Sequence, residues 1–123
     1  MSSTALKRIV AETPVDWWTR LRLSALVRKA RARSYQYTFE HLLDKAAPIA
    51  PEILSIFLAE LVERGLVRRV IRVESPGTGG GLGDFDAIEA LPAQIDDGYG
   101  HLIPVTPDML RVIYKFSPRG SDA

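Results

Sequence analysis

The side chains best suited to acid–base or metal chemistry are few in this sequence and lie far apart. The two histidines, His41 and His101, fall in different predicted elements, and a single carboxylate, Asp44, follows either of them at a distance of three or four residues. Asp84 and Asp86 alternate onto one face of a predicted strand, where two exposed carboxylates are more often solvated than engaged in acid–base catalysis. We therefore expect no catalytic residue, no metal site and no enzymatic activity.

A glycine-rich stretch, SPGTGGGLG at residues 75–83, invites a phosphate-binding interpretation. No starting point within it gives the spacing G-x-G-x-x-G, and no Lys-Ser or Lys-Thr follows as a P-loop requires. The stretch lies between two predicted hairpin strands, so no helix N-terminus faces a phosphate there. We predict a flexible hairpin loop, no cofactor and no small-molecule ligand.

Seven cations in two clusters are candidates for contacts with nucleic-acid phosphates. They are Arg28, Lys29, Arg31, Arg33, Arg68, Arg69 and Arg72. The first cluster ends a predicted helix, where cations also complement the helix dipole without binding anything. The strand arginines either contact phosphate or pair with the acidic strand that returns in the same hairpin, and the residue pattern favours this intramolecular pairing.

The composition is that of a folded globular protein with unevenly distributed charge. Hydrophobic residues make up 46% and charged residues 25% of the 123 residues, which is typical of a single domain. Residues 1–50 carry nine Lys or Arg against four Asp or Glu, whereas residues 76–123 carry three against seven. The basic and acidic ends either orient the molecule on an anionic partner or attract one another, within the fold or across a dimer.

The sequence contains no cysteine, which excludes disulfides and thiolate metal sites. No apolar run approaches the roughly 18 residues of a membrane span, and the N-terminus lacks a signal-peptide core. We therefore expect a cytoplasmic protein without a membrane partner.

A central helix and the strand that follows it position these groups. The helix is predicted to open at Pro51 and to stop at Gly65. Its buried face is defined by helical spacing and contains Leu54, Phe57, Leu58, Leu61 and Val62. A strand at residues 66–74 follows, and a returning strand is predicted at residues 85–91.

Two helices are predicted before the central one. Asp16 is the expected N-cap of the first, Trp17 to Ala32, and Thr38 caps the second, Phe39 to Ala46, after a short strand at residues 34–37. The inward face of the first is expected to contain Trp17, Leu21, Leu23, Leu26, Val27 and Ala30. Since helix neighbours are about 100° apart, Trp17 and Trp18 cannot both face the core, and one is expected to be a surface or interface anchor.

The two ends of the chain are predicted as additions to a single domain at residues 15–116. Residues 1–14 form a lead-in whose apolar Leu6, Ile9 and Val10 suit either a short helix or an edge strand. Residues 109–116 alternate as a final strand that either enlarges the sheet or supplies a dimer edge. A disordered, frayed tail is expected at residues 117–123.

The residues LVERGLVRR at positions 61–69 carry a resemblance to a known superfamily. They resemble the end of the third helix and the following strand of winged helix-turn-helix proteins, and the likeness covers roughly residues 20–90. It implies an α+β winged-helix fold of three helices and a two- to three-stranded antiparallel wing sheet, here with an extra C-terminal strand.

The function implied by that resemblance conflicts with the residues on the third predicted helix. DNA-binding members insert this helix into the major groove, where base edges require hydrogen-bonding side chains. The outward positions are instead Pro51, Glu52, Ser55, Ile56 and Ala59. This face is apolar and weakly acidic, so we predict an interaction module that binds another protein chain or a second copy of itself. The alternative is a DNA-binding regulator that makes mainly backbone phosphate contacts through the cations above.

Overall fold

The computed structural model describes residues 2–118, and side chains from residue 4 onwards; residues 119–123 of the predicted tail lie outside this range. Within it the chain is mixed α+β. The helices are α1 (Ser2–Glu12), α2 (Trp17–Ala32), α3 (Phe39–Ala46) and α4 (Pro51–Glu63). The strands are β1 (Gln36–Thr38), β2 (Val67–Glu74), β3 (Gly81–Phe85), β4 (Gln94–Asp96), β5 (Leu102–Pro104) and β6 (Leu110–Phe116). A four-stranded antiparallel sheet has the order β1-β6-β2-β3, and β4 pairs with β5.

The chain divides into two compact units, described separately below. The helical unit comprises residues 2–68 and 114–118, and the hairpin unit comprises Arg69–Ile113. The helical unit has a continuous apolar core to which all four helices contribute. Its residues with the smallest exposed fractions include Leu23, Ala30, Leu42, Leu54, Leu58 and Leu61.

The predicted helix boundaries in the helical unit are confirmed. The Asp16 carboxylate accepts a hydrogen bond of 2.7 Å from the backbone N–H of Thr19 and caps α2. The Thr38 hydroxyl oxygen accepts one of 3.2 Å from the N–H of His41 and caps α3. Gly65 has a φ of 74°, a left-handed conformation that glycine adopts without steric cost, and this ends α4.

The lead-in is a helix, which decides between the two structures that its sequence allowed. Leu6, Ile9 and Val10 of α1 are buried in the core of the helical unit. Their spacing of three and four residues places them on one face, and α1 packs against both α2 and α4. Residues 2–12 therefore add a fourth helix to the three that were predicted.

The predicted inward face of α2 is wrong at its N-terminal end. Trp17 and Leu21 are exposed, and Thr19 is buried in their place. Thr19, Leu23 and Val27 follow one another at four-residue spacing and share the buried face. Trp17 and Leu21 are each two positions from Thr19 and therefore lie about 200° around the helix from it. Both tryptophans are therefore on the surface, with ring centroids 4.7 Å apart in an edge-to-face arrangement.

The returning strand of the hairpin begins earlier than predicted. β3 covers Gly81–Phe85 with Arg72 opposite Asp84, and the expected strand at residues 85–91 is replaced by a short 3-10 helix at Ile88–Ala90. Backbone groups alone form the ladder, so the glycines do not prevent pairing. A Cβ at Gly83 would lie 3.1 Å from a ring carbon of Phe85, so glycine allows a close approach here.

The C-terminal third confirms one of the two predicted roles of the final strand and differs from the sequence predictions in other respects. β6 lies between β1 and β2, so the final strand enlarges the sheet, which is the first of the two roles predicted for it. Its side chains also depart from simple alternation, because Ile113 and Tyr114 are both buried while Val112 is exposed. β4 and β5 form a hairpin that the sequence analysis did not predict, and residues 97–101 connect its two strands.

Candidate functional site

The exposed residues of α4 form what we call the helix-4 face, namely Pro51, Glu52, Ser55, Ile56 and Ala59. All five are exposed, as their helical spacing predicts, and 63% of Ile56 is accessible to solvent. The opposite side of α4 is fixed in the core of the helical unit by Leu54, Phe57, Leu58 and Leu61. Burial on that side determines which residues face outward, and leaves a large apolar side chain in water.

Ile56 also lines a cleft between the C-terminal end of α1 and α4, which we call the α1–α4 cleft. Its volume is about 340 Å³. The lining residues are Ile9, Glu12, Thr13, Pro14, Ile53, Ile56, Phe57, Glu60 and Arg64. Its apolar lining includes the buried Ile9 and Phe57, while Glu12, Glu60 and Arg64 are the charged members. The lining of the cleft is complementary to a ligand in which an apolar side chain stands next to a polar or cationic one.

The chain entering α2 is anchored beside this cleft. The buried Thr13 hydroxyl donates a hydrogen bond of 2.7 Å to the carbonyl oxygen of Ile9. The guanidinium of Arg20 reaches the carbonyl oxygen of Thr13 at 3.3 Å. These bonds hold the end of α1 and the Thr13–Pro14 segment, so the cleft is preformed on one side.

Sequence reasoning missed the cleft, although it placed Ile56 correctly on the surface. The cleft depends on α1 lying along α4, and the short apolar pattern of the lead-in suits either a helix or a strand. The only signal was the spacing of Leu6, Ile9 and Val10, which indicates an apolar helix face but not the surface it packs on.

One of the seven candidate phosphate contacts must be corrected. Arg31 is buried, with 7% of its surface exposed, and its Nε donates a hydrogen bond of 2.9 Å to the carbonyl oxygen of Ser117. It therefore has a structural role in the helical unit. Arg28, Lys29 and Arg33 of the same cluster are exposed.

In the hairpin unit the predicted pairing of the strand arginines is confirmed for Arg72. Its guanidinium donates two hydrogen bonds to the Asp84 carboxylate, at 2.8 and 3.0 Å. These bonds raise the pKa of Arg72 above its ordinary value. Arg69 is exposed on the same strand, and so is Arg68. The guanidinium of Arg72 therefore links the two strands of the hairpin.

A second cleft of the helical unit lies around β1, and we call it the β1 cleft. Its volume is about 390 Å³. The lining residues are Leu26, Lys29, Tyr35, Gln36, Tyr37, His41 and Lys45. Of these, only Lys29 was a candidate from the sequence, because the others come from three elements and share no local motif. Burial raises the pKa of the Tyr37 phenol, which remains a neutral group at physiological pH.

Residues 2–118 contain neither a metal-binding cluster nor a helix that could span a membrane. Over this range no group of three or more His, Asp or Glu side chains is arranged to hold a metal ion. None of the helices described there combines the length and apolar character needed to cross a bilayer.

Comparison of the chain with protein-family models, with curated proteins and with solved structures found no match in any of the three.

Proposed function

We propose that this chain is a winged-helix interaction module that binds another protein chain, or a second copy of itself, through the helix-4 face and the α1–α4 cleft. The observation that carries the proposal is Ile56, a large apolar side chain that is 63% exposed and lines that cleft. Ile9, Ile53 and Phe57 line the same cleft, so the apolar surface of Ile56 continues into a concave site, the kind of surface that binding sites use.

The order of the elements supports the winged-helix part of the proposal. α2, β1, α3 and α4 follow one another and lead into the β2–β3 hairpin, which is the order that the resemblance implies. β1 belongs to the same sheet as that hairpin. In this interpretation α1 is an addition at the N-terminus, and it supplies one wall of the cleft.

The chemistry of the cleft defines the partner group that would fit it. Burying an isoleucine-sized side chain against Ile56, Ile53 and Phe57 would contribute about 1.5–3 kcal/mol, enough for a binding hot spot. Glu12 and Glu60 outnumber Arg64 among the charged lining residues. A partner segment with one large apolar residue next to a lysine or arginine would therefore be complementary.

The DNA-binding alternative receives less support from the same geometry. Glu52 is exposed on the helix-4 face, where it would repel phosphate. Arg31 and Arg72 are engaged within the protein. The hairpin tip at residues 75–80 carries no lysine or arginine.

Selection from a random-peptide display library tests the proposal without a known partner. We expect enrichment of peptides that combine a large apolar residue with an adjacent cation. Binding of these peptides should be lost in the Ile56→Arg variant, which places a charge in the apolar part of the cleft. Ala25→Arg is the matched control, because Ala25 is exposed on α2 outside the cleft and the change adds the same charge.

Two results would contradict the proposal. One is enrichment of peptides that bind wild type and Ile56→Arg equally well. The other is the absence of any enriched peptide together with a monomeric wild type in sedimentation equilibrium at high concentration. If the partner is a second copy of the chain, wild type should self-associate and Ile56→Arg should be monomeric.

A further inference from the structure

Two helices, α2 and α3, form walls of the β1 cleft. On α2, Arg22, Leu26 and Lys29 are spaced by four and three residues and therefore lie on one face. His41 and Lys45 are four residues apart on α3 and also share a face. The Nη2 of Arg22 approaches the carbonyl oxygen of Lys45 at 3.4 Å, which links the two walls.

The ionisable side chains that line this cleft, apart from tyrosine, are two lysines and one histidine, and the lysines make its charge positive. Lys29 and Lys45 are exposed at its edge together with His41, and none of the described lining residues is a carboxylate. Within the part of the chain that the structure describes, neither lysine forms an ion pair. Glu40 and Asp44 each precede a lining residue by one position, about 100° around the helix, and do not line the cleft.

Aromatic rings form the part of the cleft between these cations. The rings of Tyr37 and His41 are 5.1 Å apart at an angle of 88°, and those of Tyr35 and Tyr37 are 5.9 Å apart at 80°. Rings at near right angles meet edge to face, so each pair covers at most one side of one ring. His41 is exposed and Tyr35 is half-buried, which leaves ring surface on both for a planar ligand. The Nζ of Lys45 lies 5.8 Å from the centre of the Tyr37 ring, which places a cation directly beside the aromatic groups.

We propose that the β1 cleft binds a nucleotide, with Lys29 and Lys45 holding the phosphate and with the rings of Tyr35 and His41 contacting the base. Unpaired lysines recognise the charge of a phosphate, and an aromatic side chain provides a sequence-tolerant surface for a base. A cleft of 390 Å³ also falls in the range of small-ligand sites, roughly 300–1,000 Å³.

This nucleotide is either free or part of a single strand, because both present a phosphate next to an accessible base. A base in a duplex is paired and stacked, and its face is not available to an aromatic side chain. The proposal is independent of the α1–α4 cleft, since the two clefts share no lining residue.

Four probes test the proposal with the complete chain. They are a labelled oligothymidylate of about ten nucleotides, a duplex of the same length, AMP, and inorganic phosphate. About ten nucleotides is within the site sizes of single-strand binding modules. Anisotropy measures binding of the first two, and calorimetry measures the others. If a single strand is the ligand, we expect the oligothymidylate to bind at least tenfold more tightly than the duplex. If a free nucleotide is the ligand, we expect AMP to bind at least tenfold more tightly than inorganic phosphate. Binding of AMP without the strand identifies a free nucleotide as the ligand, and the reverse identifies a single strand; both support the proposal.

The double variant Lys29→Ala/Lys45→Ala assigns the binding to this cleft. We expect affinity to fall by about tenfold or more, since each hydrogen bond to a charged group contributes about as much as that change. If a single strand is the ligand, the slope of log K against log salt should fall by about 1.4, given roughly 0.7 for each phosphate contact. The matched control is Lys7→Ala/Arg8→Ala, which removes the same charge from exposed positions of α1.

Three results would overturn the proposal. The first is that neither the strand nor AMP binds to wild type. The second is that both double variants lose the same affinity, because binding would then depend only on net charge. The third is that inorganic phosphate or the duplex binds as tightly as its counterpart, because the rings would then have no role in recognition. Denaturant unfolding verifies that both double variants are folded.

Discussion

The two clefts of the helical unit are similar in volume, about 340 and 390 Å³, but differ in the side chains that line them. The α1–α4 cleft combines isoleucine and phenylalanine with two glutamates and one arginine. The β1 cleft combines tyrosine and histidine with two lysines. One small core thus supports an apolar, weakly acidic surface and an aromatic, cationic one.

This difference separates the role of the core from the role of the rims. The buried leucines of α3 and α4 fix the helices that form the walls of both clefts. The residues at the edges are exposed, so they are not constrained by packing and define the class of ligand instead. Changes in the core should therefore affect both clefts, whereas changes at a rim should affect one.

The largest effect is expected for Leu58→Ala, which removes three side-chain carbons from the shared core. Leu58 has 1% of its surface exposed. A leucine-to-alanine change at such a position costs about 2–5 kcal/mol, and denaturant unfolding measures it. Ile56→Ala, two residues earlier and on the exposed side of the helix, should cost far less. Equal losses in the two variants would show that the register of α4 is wrong.

The next effect separates Arg31 from the exposed cations near it. Arg31→Ala should destabilise the protein by about 1.5–3 kcal/mol, since a buried hydrogen bond from a charged group is lost and the carbonyl of Ser117 loses its donor. Arg33→Ala, at an exposed position two residues away, should change stability by no more than about 0.5 kcal/mol. The structural role of Arg31 would be contradicted if both variants unfolded at the same denaturant concentration.

Local signals in the sequence were sufficient for the helices of this unit. Asp16 and Thr38 act as caps where the sequence places them, and Pro51 and Gly65 bound α4. Each depends on neighbours within a few residues along the chain. The same holds for the exposed position of Ile56, which follows from helical spacing.

Features that depend on distant residues were not predictable in this way. The burial of Arg31 requires Ser117, which is 86 positions away. The β1 cleft brings together residues of α2, β1 and α3, and no spacing within one element indicates it. The sequence analysis placed the returning strand too late in the chain because the glycines of β3 are typical of a loop. The position of a strand depends instead on the backbone ladder and on the partner strand.

A smaller effect tests whether cationic charge outside the β1 cleft contributes to phosphate binding. Asp84→Asn weakens the bidentate pairing with Arg72, whose side chain and that of Asp84 are both about one quarter exposed. We expect a loss of about 0.2–1 kcal/mol in unfolding free energy, the range of partly exposed ion pairs. Binding of the oligothymidylate and of AMP should not change. Tighter binding in this variant would indicate that the hairpin arginines also take part.

The smallest effect concerns the cap of α2, a helix that forms a wall of the β1 cleft. Hydrogen bonds from Thr19 lower the pKa of Asp16 below its ordinary value of 3.8. The stabilisation by the carboxylate is therefore complete above pH 3.8 and is lost as the pH falls through the lowered pKa. Asp16→Asn retains an acceptor but cannot titrate, so its melting temperature should approach that of wild type at the lowest pH. A difference that stays constant from neutral to acidic pH would contradict this assignment.

Binding of wild type and Ile56→Arg to random-sequence duplex DNA, measured over a range of salt concentrations, tests the central claim most directly. If the helix-4 face is a protein-binding surface, the added arginine should leave the affinity and the salt slope for the duplex unchanged, while it abolishes binding of the selected peptides. If this face instead lies against DNA, the same arginine should tighten duplex binding and steepen the slope of log K against log salt by about 0.9, the value for one additional phosphate contact. That second result, with peptide binding unaffected, would contradict the interaction module and favour the DNA-binding regulator.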